Sequence, residues 1–344
     1  MQFLAGNLRT SALDRLELHL DRCDACRAVL AHLKDREKVS SQASGKGWLL
    51  REGFSIVPGT LVAERYLAIR FIGRGGMGEV YEVEDRLLGT HVALKIVPKN
   101  LAETEGAARR VRREVLLSRK VTHPNVCRVF DIGRHETALF LTMELLNGPT
   151  LRQFLRTHGP LSIEAAAGVI EPLISGLAAA HAAGIIHRDF KSENVMMIPA
   201  VREHRPVITD FGLARNLAAT EATRDTFAGI FVGTLPYAAP EQLQGAAVSE
   251  ATDVYALGLV MYQLLSGGKL PHVKALPAEL AAARMDASAP SIREIRPDVS
   301  EEWAHVIARC LERDPVVRYQ TVRAVSRDMF GTYAPRASAD SSSD

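Results

Sequence analysis

Cysteine is scarce. The 344 residues contain four, Cys23, Cys26, Cys127 and Cys310, too few and too scattered for a disulfide framework. An excess of one charge is missing too: 42 Lys and Arg face 40 Asp and Glu, a formal net charge of +2. That balance argues against partners bound by bulk electrostatics, so neither nucleic acid nor an anionic membrane surface is expected. No long apolar run goes uninterrupted. The most apolar stretch, Ala165 to Ile186, is broken by Glu171, Pro172 and His181, and does not read as a membrane span. The N-terminal twenty residues lack the basic-then-apolar order of a secretion signal, so a cytoplasmic protein with reduced thiols is the expectation. No internal repeat is present. What remains is an ordinary globular composition, 47% hydrophobic and 24% charged, on a chain long enough to bury a large core.

The pattern changes along the chain. From Ser11 to Leu33 the residues Leu13, Leu16, Leu20, Val29, Leu30 and Leu33 recur at mostly helical spacing, so a short helical module is expected over 1–36. Lys38 to Gly47 is small and polar, and 37–64 reads as a linker. A main domain follows over 65–332, and the tail 333–344 lacks apolar residues to order it. Within the main domain, Leu67, Ile69 and Phe71 alternate as a strand. Val80, Tyr81 and Val83 make a second, and Val92 to Val97 a third. After Met143 the chain turns helical, and Ala256 to Leu265 is apolar nearly all round, as a buried helix would be. The fold class expected is α+β: a small β-rich lobe and a larger helical lobe, with a ligand cleft between them.

Three clusters carry chemistry. Gly73-Arg74-Gly75-Gly76-Met77-Gly78-Glu79-Val80 fits G-x-G-x-x-G-x-V, whose glycines let backbone approach phosphates. It bridges two strand-like runs instead of opening a helix, so it reads as a hairpin flap rather than a dinucleotide site. Lys95 lies inside a strand built for burial, beside Ala93 and opposite Leu94, and its ammonium needs an anion. Glu114, in the helical run Ala107 to Val121, is the candidate partner. His187-Arg188-Asp189-Phe190-Lys191-Ser192-Glu193-Asn194 leaves the apolar run Gly184 to Ile186 as a loop, and Val207-Ile208-Thr209 delivers Asp210-Phe211-Gly212 at a strand end. Phosphoryl transfer asks for a carboxylate to orient a hydroxyl, which suits Asp189. It also asks for oxygen ligands to Mg²⁺ or Mn²⁺, which suits Asn194 and Asp210.

In this ordered set the sequence resembles the eukaryotic-type protein kinases, in detail the Ser/Thr kinases of this type found in bacteria, from about Arg65 to Met329. The resemblance implies a two-lobed fold and ATP-dependent transfer to protein Ser/Thr hydroxyls. It implies nucleotide binding by Ile72 through Val80, Ala93, Lys95, Glu144 and Leu146, with Met143 as gatekeeper. Asp189, Lys95, Glu114 and Lys191 are the implied catalytic set, Lys191 reaching the γ-phosphate and marking the Ser/Thr type. Asp253 should steady the loop 187–194, and Arg318 should pair with Glu241 of Ala239-Pro240-Glu241. One departure is Ser192 where proline is usual, expected to matter little because neither metal nor hydroxyl contacts that position. Small-molecule kinases of the aminoglycoside or choline type share a similar loop, but they need no peptide-docking ledge such as the one ending in Ala239-Pro240-Glu241. In kinases of this kind Arg188 pairs with a phosphate on the activation segment, here 210–241, which makes Thr220, Thr223 and Thr226 candidate autophosphorylation sites.

The N-terminal module has its own spacing, His19-x-x-x-Cys23-x-x-Cys26, three soft ligands suited to Zn²⁺. The stretch Phe3 to Leu33 looks like the zinc-binding anti-sigma-factor module that some bacterial kinases carry, which would bring a regulatory protein partner. A fourth ligand upstream is missing, and His32 sits far round the helix. A zinc site and a plain amphipathic helix with two free cysteines both stay open.

Overall fold

The computed structural model describes residues 56–75, 78–97, 105–200, 204–211, 235–272 and 277–331, all within one compact unit. The expected module 1–36, the candidate zinc ligands His19, Cys23 and Cys26, the three candidate threonines and the tail lie outside these residues.

The small lobe is a six-stranded antiparallel sheet, built from β1 (Leu61–Val62), β2 (Tyr66–Gly75), β3 (Gly78–Asp85), β4 (Thr90–Ile96), β5 (Val129–His135) and β6 (Ala138–Met143) in the order β1-β2-β3-β4-β6-β5. Helix α1 (Glu105–Ser118) is inserted between β4 and β5. Alternation along the strands sorts side chains onto two faces. On one, Leu94, Val92 and Ile96 pack with Tyr66, Tyr81, Val83 and Phe140, and the Tyr66 and Phe140 rings meet edge to face at 5.7 Å. On the other, Val97, Leu139 and Leu141 receive Val111 and Val115 of α1. Lys95 belongs to this second face, as its register between Leu94 and Ile96 requires.

The folded unit starts earlier than the sequence suggested. Ile56 is buried in the small-lobe core, and β1 pairs with β2 through Leu61↔Leu67 and Val62↔Tyr66. The expected linker 37–64 therefore contains ordered structure from residue 56. A two-residue strand is too short to show a period, so nothing in its sequence pattern marks it as a strand.

The large lobe is helical. Helix α2 (Leu151–His158) starts at a capping box on Thr150, and α3 (Ile163–Ala182) at Ser162, whose hydroxyl accepts from Ala165 N. A hairpin, β7 (Val195–Pro199) with β8 (His204–Ile208), follows. Then come α4 (Pro240–Leu243), α5 (Glu250–Ser266), α6 (Pro277–Asp286), α7 (Glu301–Cys310) and α8 (Val322–Phe330). Helix α5 is buried from Ala251 through Ser266 and ends on Gly267 in the left-handed region. A Cβ on Gly258 would come within 2.7 Å of Cys310 Cβ, so glycine is what lets α5 and α7 approach. Helix α3 is long and apolar enough to cross a membrane by length and composition alone. Its Ala166, Ile170, Leu173, Ile174 and Leu177 instead fill the large-lobe core.

Candidate active site

The hairpin β7–β8 does the positioning. Its register Val195↔Ile208 puts the residue before β7, Asn194, at the same end as Thr209 and Asp210 after β8. Thr209 N donates to Asn194 O at 2.8 Å, closing that end. The loop 187–194 is anchored from below by Asp253 of α5, which is wholly buried. Its Oδ2 accepts from His187 N at 2.7 Å and its Oδ1 from Arg188 N at 2.8 Å. His181 Nε2 lies 2.8 Å from the same Oδ2. His187 Nε2 is 2.9 Å from Thr209 O, and its ring tilts against Phe211 at 4.6 Å. Arg188 and Asp210 both sit at positive φ, 64° and 59°, a conformation that costs non-glycine residues energy and clusters at functional sites.

Asp189 is 2% exposed. Its Oδ2 accepts from Lys191 Nζ at 2.7 Å and from Asn194 Nδ2 at 3.1 Å. Its Oδ1 is buried with no hydrogen-bond donor among the described residues. Asn194 Nδ2 also donates to Asp189 O at 2.8 Å, which leaves the amide oxygen of Asn194 as an acceptor. Lys95 Nζ donates to Asp210 Oδ1 at 2.6 Å. Burial alone would raise the Asp210 carboxyl, but the Lys95 ammonium, with help from His187 and Lys191, holds it below its ordinary value.

This pairing corrects one expectation. Lys95 makes no ion pair with Glu114, which lies half-buried on α1 between Val111 and Leu117. One ammonium was offered two carboxylates, and Asp210 takes it; spacing along the chain cannot say which of two distant acids arrives. Ser192 is fully buried, and its hydroxyl lies 2.8 Å from Tyr237 Oη and 3.2 Å from Glu193 Oε2.

The remaining candidates lie on β2, β3, β4 and the chain that follows β6. Gly73, Arg74 and Gly75 pair with Val80, Glu79 and Gly78 across the β2–β3 turn, while Gly76 and Met77 lie outside the described residues. Gly78 holds φ 115°, which a side chain rarely adopts. Arg74 and Glu79 form an ion pair within this flap, and Tyr81 Oη donates to Glu79 Oε2 at 2.5 Å. Ile72 is exposed, Ala93 is buried, and Ala93 pairs with Met143 at the end of β6. Glu144 and Leu146 follow β6 outside any helix or strand, and Glu144 N donates to Arg128 O at 2.9 Å. Behind Met143 an apolar cavity is lined by Val126, Cys127, Val129, Leu141 and Phe211. Arg318, under 1% side-chain exposure, grips both oxygens of Glu241 at 2.9 and 2.8 Å. Among the described residues no group of three or more His, Cys, Asp or Glu is placed to hold a metal.

Comparison with known proteins agrees with this architecture. Residues 66–330 match the protein kinase domain family. This chain belongs to the protein kinase domain family. It is 32% identical over 273 residues to serine/threonine-protein kinase PrkC of Bacillus subtilis, covering 79% of this chain and 41% of that protein. It is 33% identical over 290 residues to serine/threonine-protein kinase PknL of Mycobacterium tuberculosis, covering 81% and 71%. Among solved structures it is similar to the Mycobacterium tuberculosis PknI kinase domain, with a TM-score of 0.63 and 25% identity over 80% of this chain and 98% of that one. The chain thus carries a kinase domain of the bacterial serine/threonine type, with a curled β-sheet lobe and a helical lobe. It spans 41% and 42% of the length of two of the relatives it matches, PrkC of Bacillus subtilis and a probable PknB of Lactococcus lactis.

Proposed function

We propose that this chain is an ATP-dependent protein serine/threonine kinase that also phosphorylates itself, in bacterial signal transduction. The observation that carries the reading is the buried Asp189 carboxylate. One oxygen is held by Lys191 and Asn194, and the other has no donor among the described residues, the arrangement a general base needs to be oriented and still able to accept. In the proposed reaction the acceptor Ser or Thr hydroxyl gives its proton to Asp189. Its oxygen bonds to the γ-phosphorus as the bond from that phosphorus to the bridging oxygen breaks, releasing ADP. Lys191 lies next to Asp189 to neutralise charge on the transferring group, and Lys95 is assigned the α/β-phosphates. Gly73 to Val80 cover the phosphates, and Ala93, Glu144 and Leu146 border the adenine.

The family implies Mg²⁺ or Mn²⁺. Asp210 and the amide oxygen of Asn194, at one end of the β7–β8 hairpin, are a hard oxygen pair that fits it. When bound, such a cation neutralises phosphate charge. Glu114 keeps a role only as an alternative acid for Lys95. Transfer of radiolabel from γ-labelled ATP to the chain itself and to a Ser/Thr peptide is the test, and a wild-type protein that labels neither overturns the reading.

The domain plan proposed is 1–36 helical module, a linker to residue 55, the kinase domain from residue 56 to about 332, and a tail. Two readings of the module stand, a Zn²⁺ site at His19, Cys23 and Cys26 with a regulatory protein partner, and a metal-free amphipathic helix. Metal analysis of the segment Met1 to Ser40 decides between them; stoichiometric zinc supports the first and its absence retires it.

A further inference from the structure

We propose that Ser192 is a positioning residue: its hydroxyl ties the loop that carries Asp189 to the ledge ahead of Ala239-Pro240-Glu241, through Tyr237. The inference rests on the kinase reading and goes beyond it, because the link depends on a serine where proline is usual in the family the sequence resembles.

The link is built entirely of buried groups. Ser192, Tyr237 and Gln263 are 0%, 3% and 3% exposed. Ser192 Oγ is 2.8 Å from Tyr237 Oη, and Tyr237 Oη is 3.0 Å from Gln263 Oε1 of α5. The direction of the chain is fixed at its far end. Gln263 Nε2 donates to Gly268 O at 3.2 Å, so its Oε1 must accept and Tyr237 must donate to it. Tyr237 Oη is then an acceptor for the Ser192 hydroxyl. Burial also pushes the Tyr237 phenol upward, so it keeps its proton at neutral pH. Glu193 Oε2, 3.2 Å from Ser192 Oγ, is a competing but longer acceptor, while Glu193 Oε1 pairs with Arg152 of α2.

What the link joins gives it meaning. Ser192 stands between Lys191 and Asn194, the two residues that hold Asp189 Oδ2. Tyr237 ends the turn Leu235–Tyr237, two residues before the Ala-Pro-Glu segment. On its other side that turn is held by Arg284 of α6, which donates to Ala238 O at 2.7 Å and to Pro236 O. A clamp from α6 and a hydroxyl from the catalytic loop therefore fix the ledge between them. A proline at 192 would preset the turn but could supply no donor. Here a serine spends its hydroxyl on registering the surface where a peptide would lie against the base that would deprotonate it.

The test is a double-mutant cycle in the full chain with Ser192→Ala, Tyr237→Phe and both together, using ATP and a synthetic Ser-containing peptide. Each single change should raise the peptide KM roughly three- to tenfold, the range of one neutral hydrogen bond, with a smaller fall in kcat and an unchanged KM for ATP. Tyr237→Phe also loses the bond to Gln263 and should be the worse single variant; the double should match it, because Ser192→Ala then removes no further bond to Tyr237. Losses that multiply, an unchanged peptide KM, or a parallel rise in the ATP KM each overturn the proposal. An active wild type with unaltered variants refutes this inference alone, whereas an inactive wild type refutes the kinase reading with it.

Discussion

Replacing Arg318 by methionine should be among the most damaging single changes in the large lobe. The guanidinium is buried to the last atom and makes five hydrogen bonds: two to Glu241, and one each to the carbonyls of Glu312, Ala251 and Arg313. It also stacks 4.8 Å above Tyr255. Methionine fills much of the volume but leaves Glu241, 4% exposed, with the Thr252 hydroxyl at 2.9 Å as its remaining side-chain donor among the described residues. Breaking a buried pair from one side costs about 3–5 kcal/mol, because the surviving charge stays desolvated. A domain this size loses roughly 2–4 °C of melting temperature per kcal/mol, so the midpoint should fall by roughly 10 °C. Glu241→Gln should lose a comparable amount from the other side. Arg318→Lys should not rescue, since one ammonium cannot replace a planar fork. Circular-dichroism melts of both single variants and of Arg318→Met with Glu241→Gln provide the check. The double should cost less than the sum of the singles by about 2 kcal/mol. Additivity to within about 0.5 kcal/mol, the scatter of independent sites, would refute the claim that the two side chains stabilise as a unit.

Lys95→Met and Asp210→Asn should each abolish phosphoryl transfer while the melting curve stays cooperative; activity within a few-fold of wild type in either sinks the site assignment. The Arg65–Asp85 pair, 2.9 and 2.6 Å, ties the residue before β2 to the end of β3, and hydrogen bonding to Arg65 holds the Asp85 carboxyl below its ordinary 3.8. A lowered folded-state value means the stabilisation is present above 3.8 and is lost as pH falls through the folded-state value. Asp85→Asn should therefore cost about 1 kcal/mol at neutral pH, a gap that closes in acid and is read from urea melts across pH. Replacing Thr220, Thr223 and Thr226 together by alanine should lower peptide phosphorylation markedly without weakening ATP binding; a triple variant as fast as wild type would refute control by those threonines.

Much of this was legible because the relevant signals are periodic or contiguous. Val92 to Val97 alternate, and the structure splits them between two cores as alternation demands. Ala256 to Leu265 is apolar on every side, and the helix that contains it is buried on every side. The ion pair of Arg318 with Glu241 and the anchoring of the catalytic loop by Asp253 followed from resemblance, not from any period. What was missed is contact between residues far apart in sequence. Lys95 and Asp210 are separated by 115 positions, and nothing local favours that acid over Glu114. Ser192 looked inert because its value lies in Tyr237, 45 residues on. The strand Leu61–Val62 offered two residues where a pattern needs at least four.

Loops ordinarily belong to the weakly protected part of a protein, opening and closing many times for each unfolding of the core. The segment that begins at His187 is an exception in kind, because two successive amides are bonded to a carboxylate on a helix buried from Ala251 through Ser266. For those amides to meet solvent, Asp253 must give them up, and it can do so only by leaving a buried carboxylate with His181 as its remaining side-chain partner among the described residues. Hydrogen exchange at His187 and Arg188 should then proceed on the timescale of whole-lobe unfolding, leaving the chemical centre as durable as the scaffold beneath it. The corollary is brittleness: such a centre cannot be softened piecemeal, and any substitution that loosens α5 takes the reaction with it.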